Sequence, residues 1–170
     1  MREVYAYLAG IVDADGTIGV RRSTYNMRRF GESNSPHFFE RVVVRQVASA
    51  AVDMLRGLFG GHLYLMRPVA NGKPLWSWSV NCLRANECLR AIRPWLRIKA
   101  AQADNAFALR ALIERSKKER VAFGRGHVGA SHRSPELTEA MERCYSEGKR
   151  LNLVGTGGGG RDGGALLAVR

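Results

Sequence analysis

Two carboxylates one residue apart beside a glycine, Asp13-Ala14-Asp15-Gly16, are the residues of this chain best suited to chemistry. They follow a segment from Arg2 that reads as a helix, with Val4, Tyr7, Leu8, Ile11 and Val12 on one apolar face and the small residues Ala6, Ala9, Gly10 and Ala14 on another. Acids belong at helix N-termini, because the C-terminal end of the dipole is negative and a misplaced acid loses about 0.3–1 kcal/mol. Such a breach of a local rule marks a place where function is expected. A divalent cation is the simplest compensation, drawing on carboxylate oxygen and the unpaired carbonyls of the last turn. Gly16 is expected to end the helix in the left-handed region. An ordinary capped helix end or a fragment of a calcium loop is the competing reading of the DxDG turn, but a calcium loop needs further acids and a distal Glu, and Thr17-Ile18-Gly19-Val20 supplies none.

The stripe of Ala and Gly lets a second backbone approach closely. There is no second DxDG and no internal repeat, so the partner expected there is a second copy of the chain, with Ala6, Ala9, Gly10 and Asp13 at the interface.

The chain has 170 residues, 45% of them apolar, enough for one domain with a real core. Its formal charge is +12, from 27 basic and 15 acidic residues, and 22 of the basic residues are Arg. Such a field attracts a polyanion. Arg forks suit phosphate and the O6/N7 edge of guanine, which favours nucleic acid over a membrane surface; heat adaptation or base composition would give the same Arg bias. No charged-then-apolar leader and no run approaching eighteen apolar residues is present, so a soluble, intracellular protein with no membrane partner is expected. Cys82, Cys88 and Cys144 lack metal-binding spacing and read as reduced, ordinary residues.

The elements that must position the acids follow in order. Thr17 to Phe30 reads as a strand running into a loop, Gly31 to Pro36 as a turn, and Phe38 to Gln46 as the returning strand. Period two places Thr17, Gly19, Arg21, Ser23 and Tyr25 on the face shared with Asp15, leaving Ile18 and Val20 for the core, and Arg41 and Arg45 are assigned to the same polar side. A helix over Ala48–Phe59, ended by Gly60-Gly61, turns Val52, Leu55, Leu58 and Phe59 inward. A second hairpin joins His62–Arg67 to Leu75–Asn81 through the Asn71-Gly72 turn. In its second strand Trp76, Trp78 and Val80 alternate with Ser77, Ser79 and Asn81; the Trp face is expected to pack and the Ser face to be wet, the reverse remaining open. Helices over Ala85–Ile92 and Ala100–Ile113 complete an α+β core over residues 1–116, αββαββα, with a four-stranded antiparallel saddle sheet and helices on one face. Residues 117–154 read as a flexible basic loop and a helix capped by Ser134, ending by Gly148; the loop is part of Arg115–Arg133, where six basic residues face one acid. Lys117 and Lys118 are its candidate phosphate contacts. Residues 155–170 open on seven glycines in ten and read as a disordered tail.

Leu8-Ala9-Gly10-Ile11-Val12-Asp13-Ala14-Asp15-Gly16 resembles the LAGLIDADG motif of the homing endonucleases, differing only by Ile11 for Leu and Val12 for Ile. The order of elements resembles that family's single-motif core. The resemblance implies a metal-dependent double-strand DNA endonuclease, often intron-encoded, acting as a symmetric homodimer on a long pseudo-palindromic site and leaving short 3′ overhangs. It implies that Asp15, with the Ala14 carbonyl, binds Mg2+, about two or three ions per dimer, and that Ca2+ binds without efficient cleavage. By position it nominates Gln46 to orient water and Lys99, with Arg97 as its substitute, to sit by the scissile phosphate. Arg21, Ser23, Tyr25, Arg41, Arg45, Ser77 and Ser79 are the expected base-reading face. Asp13 reads as structural, capping the partner helix. The competing classes are a non-cleaving maturase of the same fold that binds intron RNA, and a basic architectural DNA-binding protein in which the motif is only a dimer interface. The acid at Asp15 favours the enzyme, because neither binding class needs a negative charge facing phosphate.

Overall fold

The structure, a computed structural model, describes residues 1–24, 35–66, 72–122 and 133–154. Tyr25, most of the Gly31–Pro36 turn, Asn71, the glycines of the basic stretch and the tail from Gly155 lie outside the described residues. Helix α1 (Arg2–Asp15) leads straight into the hairpin β1 (Gly16–Ser23) and β2 (His37–Gln46), followed by α2 (Ala50–Phe59) and the hairpin β3 (His62–Met66) and β4 (Leu75–Asn81). Then come α3 (Cys82–Ile92), a 3-10 turn (Arg93–Trp95), α4 (Ala100–Ala122) and α5 (Pro135–Val154). The strands form one antiparallel sheet in the order β1-β2-β4-β3. This is the expected α+β order.

Alternation decides the two sheet faces. Ile18 and Val20 of β1, Val42 and Val44 of β2, and Trp78 and Val80 of β4 are buried toward the helices. There they meet Leu8 and Val12 of α1, Val52 and Leu55 of α2, Leu89 and Ile92 of α3, and Ala103 and Ala106 of α4. The Trp face is therefore the packed one, and the Trp78 indole N–H donates to the Gly60 carbonyl at 2.7 Å. Gly60 and Gly61, with φ of 66° and 92°, make the left-handed exit from α2 that a side chain would strain.

Four expectations change. Tyr7 is 51% exposed rather than inward, and Leu58 is exposed too; Tyr5, two positions back on α1, makes the inward contacts, with ring centroids 6.3 Å from Phe59 and 6.2 Å from Trp95. The α4 helix runs to Ala122, so Lys117 and Lys118 stand on a helix surface and not in a flexible loop. Arg115–Glu119 and Lys117–Glu114 pairs one turn apart support that extension. The last helix, capped as expected by Ser134 Oγ accepting the Leu137 N–H at 3.3 Å, continues through Gly148 to Val154. Gly148 is there for closeness: a Cβ would stand 3.2 Å from Asn105 Nδ2 and 3.5 Å from Val20 N. Beyond it Asn152 Nδ2 donates to the Ile18 carbonyl at 3.0 Å, so α5 covers the edge strand β1.

Glu40, on the inward face of β2, is fully buried and receives both Arg110 Nε (2.6 Å) and an Arg110 terminal nitrogen (2.5 Å) from α4. Removing one partner of such a pair strands the other in low dielectric. Glu40→Ala is expected to lower unfolding free energy in urea by about 3–5 kcal/mol, and a Glu40→Leu/Arg110→Met pair to recover most of that loss.

Candidate active site

The two acids of Asp13-Ala14-Asp15 part company at the end of α1. Asp13 is buried and points into its own chain, where its carboxylate accepts the backbone N–H groups of Arg97 (2.7 Å), Ile98 (3.3 Å) and Lys99 (2.9 Å). It therefore caps the lead-in to α4 of the same protomer, not a partner helix. Lys99 answers in the opposite direction: its ammonium donates to the Val12 carbonyl at 2.9 Å and to the Asp13 carbonyl. The carbonyls expected to attract a metal are thus partly taken by a cation from within the chain. Burial lowers the Lys99 pKa, and the charges of Asp13 and Asp15 oppose that shift. Arg97 contributes its backbone here, while its side chain is exposed.

Gly16 does not take the left-handed turn. It is extended, at φ −88° and ψ 162°, and its N–H bonds to the Val12 carbonyl. A Cβ there would lie 2.6 Å from Val12 O, so close approach is what demands glycine. Strand β1 can in this way begin directly at the helix end.

Asp15 is exposed at that junction. Gly16 opposes Val44 in the β1–β2 ladder, which brings the end of β2 to the end of α1. From 31 positions further along the chain, Gln46 Nε2 donates to Asp15 Oδ2 at 3.0 Å. The pairing leaves the Gln46 carbonyl oxygen as an acceptor. Among the described residues no three His, Cys, Asp or Glu side chains gather as a metal cage would require.

On the sheet face turned away from the helices, the ladder aligns Thr17, Gly19, Arg21 and Ser23 with Val43, Arg41, Phe39 and His37, and sets Asn81, Ser79 and Ser77 beside Arg41, Val43 and Arg45. Arg21 and Arg45 are exposed and Arg41 half-buried. Ser77 and Ser79 share this face but are only 1% and 5% exposed, not wet. Their side chains are short and recessed between Arg45 and Tyr64 in one row and Val43 and His62 in the next. Of the small-residue stripe on α1, Ala9 is buried in the chain's own core and Ala6 is half-buried, while Gly10 and Ala14 are exposed. A Cβ added at Gly10 meets nothing within 4 Å.

No protein-family model and no curated protein matches the chain. Solved structures do. The homing endonuclease I-CvuI, in complex with its target in the presence of 2 mM Ca, superposes with a TM-score of 0.51 at 18% identity, over 84% of this chain and 95% of that one. The group I intron-encoded homing endonuclease I-CeuI, complexed with DNA, gives 0.53 at 13% identity over 85% and 77%. The archaeal intron-encoded I-Vdi141I, complexed with DNA, gives 0.50 at 12% over 88% and 96%. This chain has the LAGLIDADG homing endonuclease fold. The motif Leu8–Gly16 occupies α1 and its exit into β1. Among the described residues no helix is long and apolar enough to cross a membrane.

Asp13→Ala would leave three backbone donors without their carboxylate. We expect a stability loss of at least about 1.5–3 kcal/mol, the worth of a hydrogen bond to a charged group, measured by chemical denaturation.

Proposed function

We propose that the chain is a homodimeric, divalent-metal-dependent DNA endonuclease that cuts both strands of a long pseudo-palindromic site and leaves short 3′ overhangs. The observation that carries this reading is the Asp15–Gln46 pair, an exposed carboxylate gripped by an amide at the rim of an open sheet bearing Arg21, Arg41 and Arg45. The DNA complexes formed by similar folds support the choice of DNA.

The donor set fits a hard cation, since the Asp15 carboxylate and the Ala14 carbonyl offer only oxygen. One protomer supplies too few ligands. A second α1 packed on the exposed side of Gly10 and Ala14 would bring a second Asp15 to the same place, serving one phosphate in each strand. When bound there, Mg2+ supplies an acidified water and neutralises charge on the leaving oxygen. The chain's own part is positional. Gln46 holds the carboxylate by its N–H and offers its carbonyl oxygen to a water O–H. Lys99 keeps the helix end in place and adds positive charge near Asp15. The open sheet would enter the major groove, where Arg21, Arg41 and Arg45 address base edges and Lys117 and Lys118 address phosphate.

Asp15→Asn should abolish most cutting of a plasmid carrying the cognate site with Mg2+ present, while DNA binding persists or tightens, because a charge beside phosphate is gone. Ca2+ should support binding without efficient cleavage in the parent protein. Full cutting by the Asn variant would overturn the mechanism, and no cutting by a parent that binds structured RNA tightly would promote the maturase reading. Gly10→Leu should separate the protomers, at a cost of about 1–3 kcal/mol from overpacking; sedimentation of the parent as a monomer would remove the dimer.

A further inference from the structure

Gln46 is the last residue of β2, between the exposed Arg45 and Val47. Its one side-chain hydrogen bond among the described residues goes to Asp15. A long, flexible side chain at a strand end loses rotamer entropy when it is held in one orientation, and a single exposed hydrogen bond offsets little of that cost. Its position in the ladder supplies a second restraint. Trp76 of β4 stands directly opposite Gln46, and Leu65 of β3 stands opposite Trp76 on the other side. By parity with Val44 and Trp78 these residues lie on the helix-facing side. Directly opposed residues hold their Cβ atoms about 4.5–5.5 Å apart. Trp76 is half-buried and packs against the main core, so its ring is anchored from below while part of it stays accessible. Its fellow Trp78 is fully buried and bonded to Gly60, and is not available for such a task.

We propose that Trp76 is a positioning residue that acts through Gln46, its flat ring forming a wall that keeps the carboxamide turned toward Asp15. The inference rests on the nuclease reading of Asp15 and Gln46 for its consequence in catalysis, but the coupling of Trp76 to Gln46 can be read without DNA. Aromatic rings suit the task because a large rigid surface with two side-chain torsions orders a neighbour at small entropic cost.

The test uses the full chain. The side-chain NH2 signals of Gln46 are assigned in a 15N–1H spectrum by their loss in Gln46→Glu, and are expected to move in Trp76→Ala toward their position in Asp15→Asn. Trp76→Leu, which keeps apolar bulk without the flat ring, should do the same, and covers the case in which the Ala variant fails to fold. Trp76→Phe should restore the parent position. Single-turnover cleavage is expected to fall by up to about a hundredfold in the Leu variant, the scale of loss when a reacting group is misplaced by about 1 Å, with DNA affinity in Ca2+ unchanged, and to fall no further when Trp76→Leu is added to Gln46→Ala. Gln46 signals that stay in place in both the Ala and Leu variants would overturn the proposal whether or not DNA is cut, as would additive losses in the double variant. A parent that cuts no DNA, with Gln46 signals that do move, would instead bring down the nuclease reading and leave the coupling of Trp76 to Gln46 standing.

Discussion

A helix that ends in two acids has its charges at the wrong pole, and the exchange between Asp13 and Lys99 is what makes that ending tenable. The Asp13 carboxylate takes three amides from the start of α4, and the Lys99 ammonium takes two carbonyls from the end of α1. Each element completes the unsatisfied backbone groups of the other. The clasp also sorts the two acids. Asp13 is consumed in holding the junction, which leaves Asp15 in solvent beside Gln46 with its charge available.

The rest of the molecule keeps one sheet face covered and the other clear. Four helices lie on the packed face, and α5 closes the free edge of β1 through Asn152, with its closest approach at Gly148. The buried Glu40–Arg110 pair ties α4 to the middle of β2 from the covered side. A buried ion pair is weak evidence for stability but its geometry is specific. The cost of these devices falls on the helix side, and Arg21 and Arg45 of the opposite face stay exposed.

The helices and hairpins were legible in the residue pattern because each depends on short-range period: the alternation in β2 and β4, the Gly60-Gly61 stop and the Ser134 cap all appear where local chemistry places them. So was the position of the candidate site at the end of α1, since acids at a helix C-terminus are anomalous within a single turn. Less legible were the inward position of Tyr5 in place of Tyr7, the length of α5, and the recessed state of Ser77 and Ser79. Each of these depends on what lies opposite in space: Phe59 and Trp95, the Gly148 approach, or the larger residues flanking a short one.

The sequence by itself determined the class of fold, the inward side of β1 and the anomaly at Asp15, because periodicity and the sign of the helix dipole act over a few residues. Only the tertiary structure decided that Asp13 turns inward to the amides of residues 97–99, that Lys99 serves the helix end, and that Gln46 grips Asp15 with Trp76 opposed to it. Those pairings join residues tens of positions apart. Their partners are chosen by strand register and by the crossing of α1 with the lead-in to α4, and no local pattern encodes either.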